Sequence, residues 1–149
     1  MGQKGKARDP EVVSRIMARV RSKNTLPELQ LRKALRSLNY RFGLHNVKLP
    51  GTPDVVFSER KLAVFVDGDF WHGRQWRTRG LKSLESQFAR VRNRSYWIKK
   101  ISGNIRRDAR VSRQLRRMGW HVARIWESDL SAHPERCIRR VQLMLDGLR

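Results

Sequence analysis

The sequence is poor in cysteine, in acidic residues and in long apolar runs, and each shortage excludes something. Cys137 is the one cysteine, so no internal disulfide forms, and with only four histidines a cysteine-rich zinc site is excluded. The longest apolar runs, such as Leu62 to Val66, have the length of a strand, so nothing spans a bilayer. Residues 1–6 offer no apolar stretch of the secretory kind, and Lys6 stands where a myristoylation site wants Ser or Thr. Asp and Glu number 13 against 34 Lys and Arg, a formal net charge of +21, which makes a polyanion the expected partner. Nucleic acid comes first, because each cation placed on a phosphate releases condensed counterions. Five Trp and five Phe in periodic surroundings argue against a disordered basic chain. The 149 residues suffice for one ordinary domain. The expectation is a soluble, cytoplasmic protein associated with the nucleoid.

Residues 1–8 read as a flexible basic tail, and 9–149 as the domain. Asp9-Pro10-Glu11 has the form of a helix start, followed by Val12, Val13, Ile16, Met17 and Val20 at helical spacing. The pattern breaks at Arg21 to Asn24. Thr25 and Glu28 then form a capping box before a second helix through Leu31, Ala34, Leu35 and Leu38. Tyr40, Phe42 and Leu44 alternate as a strand. Asp54 to Phe57 and Leu62 to Val66 are two more, the latter apolar enough to be buried on both faces. Residues 74–94 read as loop, helix or both. A long helical pattern covers Ser95 to Met118, with an interruption near Ser102-Gly103-Asn104 and a stop at Gly119. His121 to Trp126 alternates as a strand, and Pro134 opens a last amphipathic helix through Ile138, Val141, Leu143 and Leu145 to Gly147. The order predicts one α/β domain with a mixed central sheet flanked by helices.

Three constellations carry chemistry. In the first, Asp54 opens one strand and Asp67-Gly68-Asp69 closes the next. A carboxylate beside the end of an antiparallel neighbour can hold a hard cation, which phosphodiester hydrolysis needs to acidify water and offset charge on phosphorus. The same residues also serve as strand and turn chemistry. In the second, Phe70-Trp71-His72 follows the acidic turn. Two aromatics in a basic loop can wedge between bases, and an imidazole exchanges protons near neutral pH; the alternative is that the rings are core and His72 caps a helix. In the third, Arg106, Arg110, Arg113 and Arg117 share one face of the long helix, with Arg107, Arg116 and Asp108 among them. This is either a solvated basic face or, together with residues 74–100, a phosphate-binding one. Glu28 is open between completing a cap and pointing into a metal site.

Taken in order, these residues resemble the very-short-patch-repair (Vsr) mismatch endonucleases. The resemblance runs through Ser14 to Met17, Lys23-Asn24-Thr25, Glu28, Leu49-Pro50-Gly51-Thr52-Pro53-Asp54 and Val64 to His72. It continues through Trp97, Lys100-Ile101, Asn104, Asp108, Gly119 to Val122 and Ile125-Trp126-Glu127. It implies a fold of the PD-(D/E)XK restriction-endonuclease type. It also implies a Mg²⁺-dependent enzyme, with one or two ions, that nicks duplex DNA 5′ to the thymine of a T:G mismatch. Such enzymes act as monomers, and other mismatch-repair proteins are the partners that the resemblance implies. Position by position, Asp54 is the metal-binding carboxylate and Val66 a second ligand through its backbone carbonyl. His72 activates the water, and Asp108 and Glu28 support the catalytic network. Phe70, Trp71 and Trp97 intercalate beside the mismatch, and Arg74, Arg77, Arg106, Arg110 and Arg113 hold phosphates.

The sequence departs from the best-known members twice. Their structural zinc positions correspond here to Asp69, Arg74, Trp76 and Ser128, so no such zinc is expected and an Asp69–Arg74 ion pair is expected in its place. Asp67 stands where they have a second histidine, adding negative charge for metal capture or exchanging a phosphate contact for a water contact. Two alternatives remain on the sequence alone. One is a restriction- or homing-type nuclease of the same fold that cuts matched DNA. The other is a non-catalytic basic DNA-binding domain.

Overall fold

A computed structural model of the protein describes residues 9–13, 15 and 24–148. The expectations for residues 1–8 and for Ile16 to Lys23 lie outside the described residues. At the start of the first helix, the Asp9 side chain accepts from the Glu11 amide at 2.8 Å, as a cap should.

Helix α1 spans Leu26–Ser37, then come β1 (Gly43–Leu44), β2 (Val55–Phe57), a 3₁₀ turn over Ser58–Arg60, and β3 (Leu62–Asp67). Two one-turn helices follow, α2 (Gln75–Thr78) and α3 (Leu84–Gln87). The long α4 (Arg94–Arg117), β4 (His121–Trp126), α5 (Glu127–Ala132) and α6 (Pro134–Gly147) complete the chain. The sheet order is β1-β2-β3-β4, with the first two pairings antiparallel and β3–β4 parallel. A parallel pair needs a long crossover, and α4 supplies it.

Alternation along β3 sorts the two faces. Leu62 and Val64 face a core with Leu31 and Leu35 of α1, Leu130 of α5, and Val141 and Leu145 of α6. Ala63 and Phe65 face the other way, against Leu115 and Val111 of α4. With helices on both faces, β3 is almost fully buried, which is why it reads as an unbroken apolar run. By the same alternation, Asp67 and Arg124 fall on the α4 side of the sheet.

Four details differ from the pattern-based expectation. The capping box at Thr25 does not close: Glu28 accepts from the Asn24 amide at 3.2 Å, and the Thr25 side chain makes no cap bond. The first strand shortens to Gly43–Leu44, with Tyr40 and Phe42 packing ahead of it on Phe57. Helix α4 runs unbroken through Ser102-Gly103-Asn104, because Ile101 and Asn104 are both buried on its inner face and tertiary packing outweighs the weak local propensity. Leu143 is exposed, and Cys137, Val141 and Leu145 carry the buried stripe of α6. The stop at Gly119 is as expected. At φ 84° it permits the paired bonds from Gly119 to Arg116 (3.0 Å) and from Trp120 to Leu115 (3.0 Å) that end α4.

Candidate active site

The C-terminal end of β3 opens into a cleft of about 330 Å³, to which Glu28, Asp54, Asp67, His72, Asp108 and Arg124 all contribute. Antiparallel pairing of β2 with β3 sets Asp54 beside Val66. The Asp54 carboxylate accepts from the Val66 amide at 2.7 Å through Oδ2, while its own amide donates to the Val64 carbonyl at 3.0 Å. The carboxyl is pushed up to about 6, chiefly by burial. The Val66 bond opposes this, the charges of Glu28 and Asp67 add to it, and Arg32 opposes it. The carboxylate is therefore short of positive charge.

His72 is brought in by the turn after β3. Its amide donates to the Gly68 carbonyl at 3.1 Å. The next residue, Gly73, sits at φ 80°, where a Cβ would collide with Ile105 of α4, so glycine lets the turn press against the helix. The Nδ1 of His72 is hydrogen-bonded to Asp108 Oδ2. A carboxylate only accepts, so Nδ1 carries the proton and Nε2 is the basic nitrogen of the neutral ring. Asp67 Oδ1 stands 3.7 Å from the same Nδ1.

Asp67 is only 4% exposed, and both its oxygens accept from Arg124 Nη1, at 3.0 and 3.1 Å. Its charge is thus met by a guanidinium and does not stand open for metal capture. Glu28, likewise buried, pairs with Arg32 one helical turn on, and its Oε1 lies 3.1 Å from His45 Nε2. Arg32 also reaches His45 Nε2 at 2.7 Å and Asn24 Oδ1 at 2.7 Å. The other ring nitrogen of His45, Nδ1, lies 3.7 Å from Asp54 Oδ1.

Sequence reasoning missed Arg32, His45 and Arg124, and named Arg107 only among the arginines of the long helix. For His45 the register held the signal: β1 pairs with β2 so that His45 falls beside Asp54, to whose carbonyl its amide donates at 3.2 Å. Glu28, His45 and Asp54 each bring one ligand atom within 4.8 Å of the others. Arg32 already serves two of the three, which leaves Asp54 as the carboxylate with the least neutralisation. One carboxylate, a backbone carbonyl and waters fit Mg²⁺, which takes few protein ligands and keeps its water.

Trp71 and Trp97 are 5% and 8% exposed and pack in an aromatic cluster with Phe88, while Phe70 is half-buried at the cluster's side. The Asn104 side-chain Nδ2 donates to the Trp71 carbonyl at 3.1 Å and ties this cluster to α4. Arg106, Arg110 and Arg113 are exposed, but they lie roughly 140–160° around α4 from Asp108, at about 100° per residue. They face away from the cleft, and Arg107 is the α4 cation that lines it. Arg77 is exposed over the Trp76 ring.

The expected Asp69–Arg74 pair does not form. Arg74 donates through Nη1 to Asp129 at 2.6 Å and lies over the Trp126 ring. Asp69 accepts instead from the Ser128 hydroxyl at 2.9 Å. Asp129 sits in the first turn of α5, a helix the sequence pattern does not reveal. A carboxylate, a guanidinium, an indole and a hydroxyl do not fit a tetrahedral zinc.

A mixed sheet between helices, with a carboxylate opening one strand and an Asp-held histidine after the next, defines a restriction-endonuclease-like fold and a DNA-cleaving hydrolase. Comparison with known proteins agrees. The family profile for the DNA mismatch endonuclease Vsr matches residues 6–78. The type II nicking enzyme V.NmeDIP of Neisseria meningitidis serogroup C is 40% identical over 134 residues, covering 89% of this chain and 85% of that one. V.XorIIP of Xanthomonas oryzae pv. oryzae, also a type II nicking enzyme, is 45% identical over 122 residues, covering 82% and 84%. The DNA mismatch endonuclease Vsr of Escherichia coli is 29% identical over 122 residues, covering 82% and 73%. The chain belongs to the Vsr family of endonucleases, and DNA is its substrate. No helix among the described residues is long and apolar enough to cross a membrane.

Proposed function

We propose that the protein is a Mg²⁺-dependent endonuclease that nicks one strand of duplex DNA 5′ to the thymine of a T:G mismatch. The observation that carries the hydrolytic part is the convergence on one cleft of an under-neutralised carboxylate, Asp54, and a histidine whose Nδ1 is held by Asp108. Asp54 and the Val66 carbonyl would hold the cation, which supplies acidified water and offsets charge building on phosphorus. His72 Nε2 takes the proton from the attacking water, and Asp108 stabilises the imidazolium that results. Arg107 faces the phosphate at the cleft. Arg77, Arg106, Arg110 and Arg113 act on backbone phosphates further off, as part of the general cationic field.

The mismatch preference rests on the aromatic cluster. A wobble pair stacks less well than a matched one, so parting the bases there costs less. Phe70, the least buried of the three rings, enters first, and Trp71 and Trp97 follow only if the cluster opens. A second reading, nicking within a matched recognition sequence, is favoured by the name that the relatives at 40% and 45% identity bear, type II nicking enzyme. The two are separated by single-turnover nicking of duplexes that differ only in a T:G or T:A pair, in Mg²⁺, across several flanking sequences. Faster nicking of T:G supports mismatch repair. Equal rates at one discrete matched site would replace it with the second reading.

A further inference from the structure

Two carboxylates compete for one ring nitrogen. Asp108 holds His72 Nδ1, yet Asp67 stands 3.7 Å from it, and an imidazole in one tautomer has a single N–H there to give. What separates the two acids is Arg124, whose guanidinium makes four hydrogen bonds to the residues around it. Its Nη1 donates to both oxygens of Asp67, its Nη2 to the Asp108 backbone carbonyl at 3.3 Å, and its Nε to the Ser112 hydroxyl at 3.0 Å. The flat of the guanidinium lies over the Phe65 ring at 4.2 Å. By contrast, the Asp108 carboxylate stays 3.8 Å from Nη1. Arg124 therefore hydrogen-bonds both oxygens of Asp67, meets Asp108 only at the longer ion-pair distance, and leaves Asp108 Oδ2 to the histidine.

We propose that Arg124 is a positioning residue for the nicking reaction. By occupying Asp67, it makes Asp108 the sole partner of His72 Nδ1–H and keeps Nε2 as the base. This role rests on the hydrolytic reading of the cleft. Its physical basis is that an arginine stays protonated under any assay condition and engages a carboxylate from a rigid fork. Without it, Asp67 would be a buried, unpaired anion beside the ring, free to pull the proton-bearing nitrogen off Asp108. Arg124 belongs to β4, Asp67 to β3 and Asp108 to α4, so one side chain ties together the three elements that frame the histidine.

The test compares the wild type with Arg124→Gln, Asp67→Asn and the double variant. Single-turnover nicking at saturating DNA, DNA affinity, thermal unfolding and the ¹H–¹⁵N signal of the His72 Nδ1–H are each measured. The expected result is that Arg124→Gln lowers the rate about 10- to 100-fold, as small misplacements of catalytic groups do. DNA affinity stays unchanged and the Nδ1–H signal shifts or broadens. Removing the Asp67 charge as well restores the rate to within about threefold of Asp67→Asn alone and returns the signal, because the two changes are strongly coupled. A double variant as slow as Arg124→Gln, an unmoved signal, or a variant that only melts earlier while cutting at the wild-type rate would each overturn the proposal. If Arg124→Gln fails to fold, the comparison of the double variant with Asp67→Asn decides: equal rates and signals support the role, and a slower double variant overturns it. A wild type that does not nick would instead overturn the hydrolytic reading, and the Nδ1–H signal still reports whether Arg124 sets the ring's partner.

Discussion

The Nδ1 of His72 rests against Asp108 Oδ2, a pairing across 36 residues of sequence that joins the turn after β3 to the middle of α4. It fixes the tautomer of the ring and so decides which nitrogen can act as a base. Replacing Asp108 by Asn keeps the size of the side chain and removes the negative charge. The expected loss is on the order of 100-fold in single-turnover nicking, at the low end of what general base catalysis contributes. DNA affinity measured by anisotropy should stay within a few-fold. A loss confined to affinity would contradict the role.

Asp54 makes the metal-free protein sensitive to pH. Its folded-state carboxyl titrates near 6, above the ordinary 3.8. Its contribution to stability is therefore fully present below 3.8 and lost as pH rises through 6, a cost on the order of 3 kcal/mol. Melting temperatures of the metal-free protein should fall across this window, and Asp54→Asn should flatten the fall. Added Mg²⁺ should raise the melting temperature of the wild type above pH 6 and have little effect near pH 4. A flat wild-type profile would mean that Asp54 is not held in an unfavourable charged state.

Arg32 and Glu28 are 4% and 3% exposed, so each is the other's main compensation. Arg32→Met should leave a buried unpaired carboxylate and destabilise the protein by about 3–5 kcal/mol. Adding Glu28→Gln should recover much of that. Urea unfolding of the single and double variants checks it, and equal stabilities of the two would contradict the coupling.

The outward arginines of α4 are expected to contribute affinity rather than rate. Changing Arg106, Arg110 and Arg113 together to Gln should reduce the slope of log affinity against log salt by about 0.9 for each phosphate left without its cation. The single-turnover rate at saturating DNA should be unchanged. An unaltered slope would identify the face as merely solvated.

How much of this the sequence disclosed follows from the range of the interactions. Strands β3 and β4 and helices α4 and α6 have apolar patterns long enough to announce themselves, whereas α2, α3 and α5 are four to six residues long and held by tertiary packing. Asp54, Asp67 and His72 were legible as candidates because they lie in short motifs. Arg124 was not, since its place in an alternating strand marks it only as a polar-face residue. Its meaning depends on Asp67, 57 positions earlier. Arg32 sits four residues from Glu28 and reads only as a helix-face partner, His45 gains its place only once β1 pairs with β2, and Arg74 was given the wrong ion-pair partner because Asp129 is 55 residues away. The arginine face of α4 was correctly grouped by helical spacing. Its direction relative to the cleft came only with Asp108 packed inward.

The proposed hydrolysis turns on one cleft in which Asp54 would retain a divalent cation and His72 would deprotonate water. The most direct measurement is a Mg²⁺ titration of wild type, Asp54→Ala and His72→Ala on one mismatched duplex, reading single-turnover nicking and the metal-induced change in melting temperature together. Saturable nicking is expected of the wild type, and loss of both readouts of Asp54→Ala. In His72→Ala the rate should fall by about 100-fold or more with the metal response retained. Nicking by the wild type in the absence of any divalent cation, or an unaltered metal response in Asp54→Ala, would contradict this mechanism.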